Sequence, residues 1–339
     1  MKSRGFTLIE LLIGTAIGSG ILLTAVAFSS QQMRAVALTE DAIEVSEASR
    51  YGLDRLSADV RMAGAGVGSS EAGDFVSLAR GTFQVGAATF VANNRVLDNG
   101  ARTDDLALLS ALGGRVSIAA YDESGWIEAC ARSGFEPNDL LVLRSEDGLS
   151  ALSVRASSIV PTTCGADTCV KGCERINWAP DATFSAGPSA LTASYAGGVV
   201  SGRLQWVTWF VDDSDPNNSR LRRAEGPCAQ RDATCGDVVA EHVETLQVRR
   251  WAQQSSSWVD ITDDASPIAQ GTRLRLDVEL ILRARKEDEN MPMNRTVADL
   301  ETGECYPDCA GPADRVLRRR VSTSVEVKNS GRGSYGRQR

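Results

Sequence analysis

The sequence predicts an α+β chain: one long N-terminal helix, membrane-spanning and then amphipathic, followed by a large, mainly antiparallel β head. Three observations predict it. Residues 6–28 form a single apolar run. Residues 29–63 continue it with charges at helical spacing, up to a cluster of glycines at 64, 66 and 68. Beyond the glycines, runs of alternating apolar and polar residues recur between clusters of Gly, Asp, Asn and Pro.

The apolar run has the length of a membrane span, which takes roughly 20 helical residues. Lys2 and Arg4 precede it, so the positive-inside bias places the N-terminus in the cytoplasm and the rest of the chain outside. An ordinary secretory signal carries a shorter apolar core with its cleavage site after it. Here the processing point lies before the core, at Gly5/Phe6, so cleavage removes a five-residue leader and keeps the helix. The new α-amine of Phe6 is then largely cationic near neutral pH.

Glu10 is the one ionisable side chain between Phe6 and Phe28. A carboxylate at the centre of a membrane helix costs roughly 2.5–3.5 kcal/mol, and less near its end. Two readings follow. Glu10 is an acid tolerated at the membrane surface, or it meets the Phe6 amine of a neighbouring subunit when helices pack side by side. A buried pair of that kind specifies register, whereas a buried single charge is strongly penalised. Gly14 and Gly18 form a G-x-x-x-G pair that lets helices approach closely, although glycine is also simply common in membrane helices.

In the second half of the helix, Val36, Ile43, Leu53, Leu56, Val60 and Ala63 are expected on one broad face. Glu40, Asp41, Glu44, Glu47, Arg50, Asp54 and Arg61 are expected mostly elsewhere. The glycines end the helix. A straight rod of this length, about 87 Å at 1.5 Å per residue, suits a filament subunit better than a compact soluble protein.

Roughly 270 residues remain for the head, enough for a substantial core. The clearest strand runs from Leu274 to Leu282, with Val321–Val327 similar and Leu204–Phe210 apolar on both faces. Shorter strands are expected at 103–110 and Leu140–Leu143. DDSDPNN, at 212–218, is read as a hairpin loop. The resulting division is a leader at 1–5, the helix at 6–63 with 6–28 in the membrane, a β-rich head at 64–328, and a flexible tail at 329–339. Cysteine-bearing insertions are expected at about 155–200 and 284–314, the former as a long stapled loop.

The eight cysteines, Cys130, Cys164, Cys169, Cys173, Cys228, Cys235, Cys305 and Cys309, all follow the span. Outside the cytoplasm an even count reads as disulfides, though eight allow about a hundred connectivities. Cys228–Cys235 and Cys305–Cys309 are local candidates, and Cys130 is a candidate partner for one of Cys164, Cys169 and Cys173. Zinc at Cys164, Cys169 and Cys173 is the competing reading, disfavoured by the spacing and the compartment.

The net charge of −8 disfavours nucleic acid as a partner. His242 is the single histidine and is read as a surface residue beside a strand. GAGVG at 64–68 follows a helix rather than a strand, the wrong context for phosphate binding. DDSDPNN lacks the spacing of a calcium loop. No catalytic residue, metal site or cofactor is assigned, and a membrane-anchored enzyme is the least favoured reading.

GFTLIELLIG resembles the type III signal of type IV prepilins and pseudopilins, with Gly5 before the cut, Phe6 first and Glu10 fifth in the mature chain. The resemblance extends in order through RLSADVRMAG, NDLLVLRSE, WFVDD…SRLRRAEG, VVAEHVETLQVRRW, GTRLRLDVELILRAR and DRVLRRRVSTSVEVKN, which are similar to blocks of the PilW-like minor pilins. It implies a type IV pilin-like fold, cleavage and N-methylation at Phe6 by a prepilin peptidase, and a role for Glu10 in assembly. The implied partners are other minor pilins, the major pilin, the inner-membrane assembly platform and a tip adhesin. The implied location is the bacterial inner membrane and then a surface pilus, where such proteins prime assembly and support twitching motility and adhesion. A large minor pseudopilin of a type II secretion system is the alternative.

Overall fold

The computed structural model describes residues 7–66, 76–78, 81–85, 88–92, 103–113, 115–130, 134–146, 151–163, 169, 172–186, 194–215, 218–226, 233–254, 256–260, 273–287, 297–298, 305–306 and 316–327. The expected tail and most of 284–314 lie outside these residues. Helix α1 spans Leu8–Met62, 55 residues, or about 82 Å at 1.5 Å per residue. The strands that follow are β1 (Val76–Leu78), β2 (Gly81–Val85), β3 (Ala88–Ala92), β4 (Leu106–Leu112), β5 (Val116–Asp122) and β6 (Trp126–Cys130). Next come β7 (Leu140–Arg144), β8 (Ala151–Thr162), β9 (Cys173–Ala186), β10 (Val199–Asp212), β11 (Arg220–Glu225) and β12 (Asp237–Glu241). Last are β13 (Val243–Gln254), β14 (Ser257–Asp260), β15 (Leu274–Glu287), β16 (Val297–Ala298), β17 (Cys305–Tyr306) and β18 (Val316–Val327). One long helix ahead of an antiparallel β-rich head is the architecture the sequence predicts.

The C-terminal half of α1 packs against two sheets at once. One is the sheet β14–β13–β15–β18, the other the β4–β10–β11–β12 part of a larger sheet. Val45, Leu56 and Val60 of the helix share a core with Leu246, Leu276, Val278, Leu280, Val325 and Val327 on one side and Leu106, Trp209, Val211 and Leu221 on the other. The expected apolar face of the helix needs correction. The buried stripe is Asp41, Val45, Ser49, Gly52, Leu56 and Val60, whereas Val36 and Ile43 are more than half exposed. Small residues take these places because the sheets come close. A Cβ on Gly52 would lie 3.3 Å from Leu221 Cδ2 and 3.5 Å from Leu280 Cδ1.

Asp59 bolts the helix down, accepting a hydrogen bond from Trp209 Nε1 at 3.0 Å and one from Arg223 Nε at 2.7 Å. The helix stops at Met62, and Gly64 and Gly66 both take φ +73°, where an L side chain is strained. Gly66 also lies close against β4, since a Cβ there would meet the Ala111 carbonyl oxygen at 2.8 Å. The adjacent Ala65 carbonyl accepts from Ala111 N–H at 2.6 Å and ties the turn to β4. Gly66→Ala is therefore expected to destabilise the head by at least about 2 kcal/mol. Urea denaturation of the full-length protein in detergent, followed by tryptophan fluorescence, measures it.

The second half of the head closes on itself. The strands β10, β5, β6, β9, β8 and β7 pair antiparallel in that order, and β7 pairs back onto β10, making a six-stranded barrel. Side chains fill a barrel this small. Ile118, Ile127, Leu141, Leu143, Leu152, Val154, Ile176, Trp178, Tyr195 and Val200 form its core. The segment 155–200, expected as a stapled loop, instead supplies β8, β9 and the start of β10. Its Ser, Thr and Ala content conceals strands in which Val154, Ala156, Ile176 and Trp178 point inward while Val160 is exposed.

Strand β10 joins the two halves. Its N-terminal part runs in the barrel between β5 and β7, and its C-terminal part runs between β4 and β11. Between the pairs Leu112–Arg203 and Val116–Val200, the β4–β5 side holds one residue more than β10, a bulge at which Gly113 adopts φ +125°. Trp209 and Phe210 are both fully buried, as expected for a strand covered on both faces. The expected hairpin follows, with Val211 opposite Leu221 and Asp212 opposite Arg220.

Candidate assembly site

Helix α1 begins at Leu8 with Thr7 as its N-cap, and Glu10 occupies the third helical position. The Glu10 carboxylate accepts from Thr7 N–H at 3.0 Å and from the Thr7 hydroxyl at 2.9 Å. The Thr7 hydroxyl accepts in turn from Glu10 N–H at 3.4 Å. This is a capping box: two of the helix's otherwise orphaned N–H groups are satisfied reciprocally, and the acid sits against the positive end of the helix dipole. The spacing Thr-x-x-Glu at the start of an apolar run is the sequence signal for this cap. Gly5 and Phe6 lie outside the described residues.

From Leu8 to Phe28 the helix is bare. Leu8, Leu12, Ile17, Leu22 and Phe28 are each more than half exposed. Among the described residues, α1 is the one helix long and apolar enough to cross a membrane. Its hydroxyls are already satisfied: Thr15, Ser19 and Thr24 donate to the carbonyls of Leu12, Ala16 and Ile21. Folding each donor onto its own helix removes the cost of carrying it into hydrocarbon. A Cβ added at Gly14 or Gly18 would meet nothing within 4 Å. The subunit alone gives these glycines no partner, so any packing role belongs to contacts with another helix.

The cysteines are placed in part. Cys130 and Cys169 are disulfide-bonded, with Cα atoms 5.2 Å apart. Cys173 and Cys235 are also in disulfides. Cys164, Cys228 and Cys309 lie outside the described residues, and of Cys305 only the strand is described, so the two local pairings expected from sequence are not addressed.

His242 needs correction. It is buried, 7% exposed, because a left-handed backbone (φ 58°) at the break between β12 and β13 turns it inward. Arg285 Nε donates to His242 Nε2 at 2.6 Å, and Arg285 Nη2 also bridges Glu44 of the helix and Glu241. Burial and the adjacent Arg285 guanidinium push the imidazole below its usual pKa. Arg285 thus ties helix α1 to the sheet, with His242 seated against its guanidinium. Asp212, read as part of a loop only superficially like a calcium site, is committed to Arg222 and Ser214.

Against known proteins, residues 1–27 match the family model for the prokaryotic N-terminal methylation motif. No curated protein matches the chain. Among solved structures, the chain is similar to a type IV-like pilin from Thermus thermophilus, at 10% identity and a TM-score of 0.35, over 85% of this chain and 97% of that one.

Proposed function

We propose that this protein is a minor pilin that joins an inner-membrane priming complex and helps initiate a type IV pilus, near the filament tip. The observation that carries the reading is the bare apolar helix with Glu10 at its start, lying within the stretch that matches the methylation motif. A prepilin peptidase cuts after Gly5 and methylates Phe6. The freed helix then leaves the bilayer by packing against the helices of other minor pilins and the major pilin, driven by the assembly platform, with Gly14 and Gly18 at close contacts. The head is presented outside, where a tip adhesin is a candidate neighbour. The mechanism is association rather than catalysis.

The same signal also suits a large minor pseudopilin of a type II secretion system. Deleting the gene separates the two readings: loss of surface pili and twitching supports the first, and loss of protein secretion with pili intact supports the second. Processing has its own test. Replacing Gly5 with a bulky residue is expected to leave an uncleaved form that keeps the five leader residues, read by intact mass of the membrane-extracted protein. Normal cleavage of that variant would remove the basis for the processing step.

A further inference from the structure

We propose that Cys130, Cys169 and Cys173 form a thiol–disulfide exchange site at the seam of the barrel, where Cys130 is able to take either of the other two as its partner. The proposal stands on the positions of these cysteines and is independent of the pilin reading. The three Sγ atoms all lie within 4.8 Å of one another. Cys130 is bonded to Cys169, yet its cross-strand partner in the β6–β9 register is Cys173. Directly opposed residues of antiparallel strands bring their Cβ atoms to about 4.5–5.5 Å. A disulfide needs about 3.5–4.5 Å, so a small local adjustment suffices. Cys173 is 4% exposed and is itself in a disulfide, so the seam holds two oxidised pairs next to each other. Cys169 reaches the site from the connection that enters β9 through Gly172, whose φ of +94° turns the chain just before the strand.

The exchange needs only a thiolate from a small thiol or a thiol oxidoreductase. That thiolate attacks the sulfur bonded to Cys173, forms a mixed disulfide with Cys173's partner, and releases the Cys173 thiolate. Cys173 Sγ then attacks Cys130 Sγ. The Cys130–Cys169 bond breaks and its electron pair leaves on Cys169 Sγ. The Cys169 thiolate attacks the mixed disulfide at the sulfur of Cys173's former partner and expels the original thiolate. Two disulfides exist before and after, so nothing is oxidised or reduced overall. What changes is the tether. In one state Cys130 holds the connection through Cys169, and in the other it staples β6 directly to β9 while Cys169 passes to the former partner of Cys173.

The test uses the full-length protein in detergent, held in a buffer of reduced and oxidised glutathione. It is then trapped with N-ethylmaleimide and digested with trypsin. Trypsin cuts after Lys171 and so separates Cys169 from Cys173, while Cys130 lies on the fragment that ends at Arg132. The expected result is that the Cys130–Cys173 cross-link, minor before incubation, rises at least several-fold over minutes to hours at the expense of Cys130–Cys169. In Cys169→Ser it becomes the main disulfide of Cys130. The proposal is overturned if the Cys130–Cys173 cross-link is absent from wild-type protein after incubation. It is equally overturned if folded Cys169→Ser carries maleimide on Cys130. The wild-type arm decides the matter even if the variant does not fold.

Discussion

Glu10→Ala is expected to be made, inserted and cleaved at wild-type levels, and to be recovered in assembled filaments at about one-hundredth of the wild-type amount or less. The size follows from what the carboxylate faces. In the isolated subunit it caps its own helix through Thr7 N–H and the Thr7 hydroxyl. In the proposed bundle of apolar helices it would be the counter-charge for the Phe6 amine of a neighbour. Removing one partner of a buried ion pair costs about 3–5 kcal/mol because the other charge is left without compensation. Each 1.4 kcal/mol is about tenfold in an association constant. Glu10→Gln separates the two jobs of the side chain, since glutamine can still close the capping box but carries no charge. If the charge drives assembly, Glu10→Gln is as defective as Glu10→Ala. If capping is what matters, Glu10→Gln assembles normally and the intersubunit pair is wrong. The readout is the amount of subunit in the sheared surface fraction, normalised to the cleaved form in the membrane. Wild-type recovery of Glu10→Ala would end the proposal outright.

The parts of this chain that were legible in its sequence are those written in local pattern. The period-2 alternation of Leu276, Val278, Leu280 and Leu282 marks β15, and all four are fully buried. Glycines mark the helix end, and DDSDPNN marks the β10–β11 hairpin. What was not legible depends on distant pairings or on size rather than polarity. The barrel closes because β7 and β5 meet opposite edges of β10, a fact of topology that no local window contains. Its strands β8 and β9 turn Leu152, Val154, Ala156, Ile176 and Trp178 inward and are otherwise rich in small and polar residues, so their composition reads as a loop. The buried helix stripe escaped for a related reason. Ser49 and Gly52 are chosen because they are small where two sheets converge, and a search for large apolar residues places Val36 and Ile43 there instead. His242 was misplaced because the positive φ that turns it inward leaves no trace in a lone histidine.

The second large effect is on stability, and it sits at the far end of β10, in the hairpin to β11 and beside β12. Asp212 and Arg222 form an ion pair at 2.7 Å with side chains only 2% and 5% exposed. Asp212 also accepts from Ser214 N–H and the Ser214 hydroxyl, and Arg222 also donates to the Gly236 carbonyl. Each charge is therefore removed from water but hydrogen-bonded, and together they hold the end of β10, the hairpin and the approach to β12. Asp212→Ala leaves the Arg222 guanidinium buried without its anion and is expected to cost about 3–5 kcal/mol. Replacing both residues with apolar ones of similar volume is expected to cost much less, because no orphaned charge remains. The pH dependence gives an independent check. Burial raises the Asp212 carboxyl, but its bonds to Ser214 and to Arg222 outweigh burial and hold it below the usual carboxylate range. A depressed folded-state pKa contributes stability that is fully present above the unfolded value of about 3.9 and is lost as pH falls through the folded value. Wild-type protein should therefore lose stability on acidification below about pH 4 more steeply than Asp212→Ala does, since the variant has no such proton to gain. Urea midpoints of the full-length protein in detergent, taken from pH 7 down to pH 3, measure both effects. Equal midpoints for the two proteins at pH 7 would mean that the pair adds nothing to the stability of the β10–β11–β12 unit.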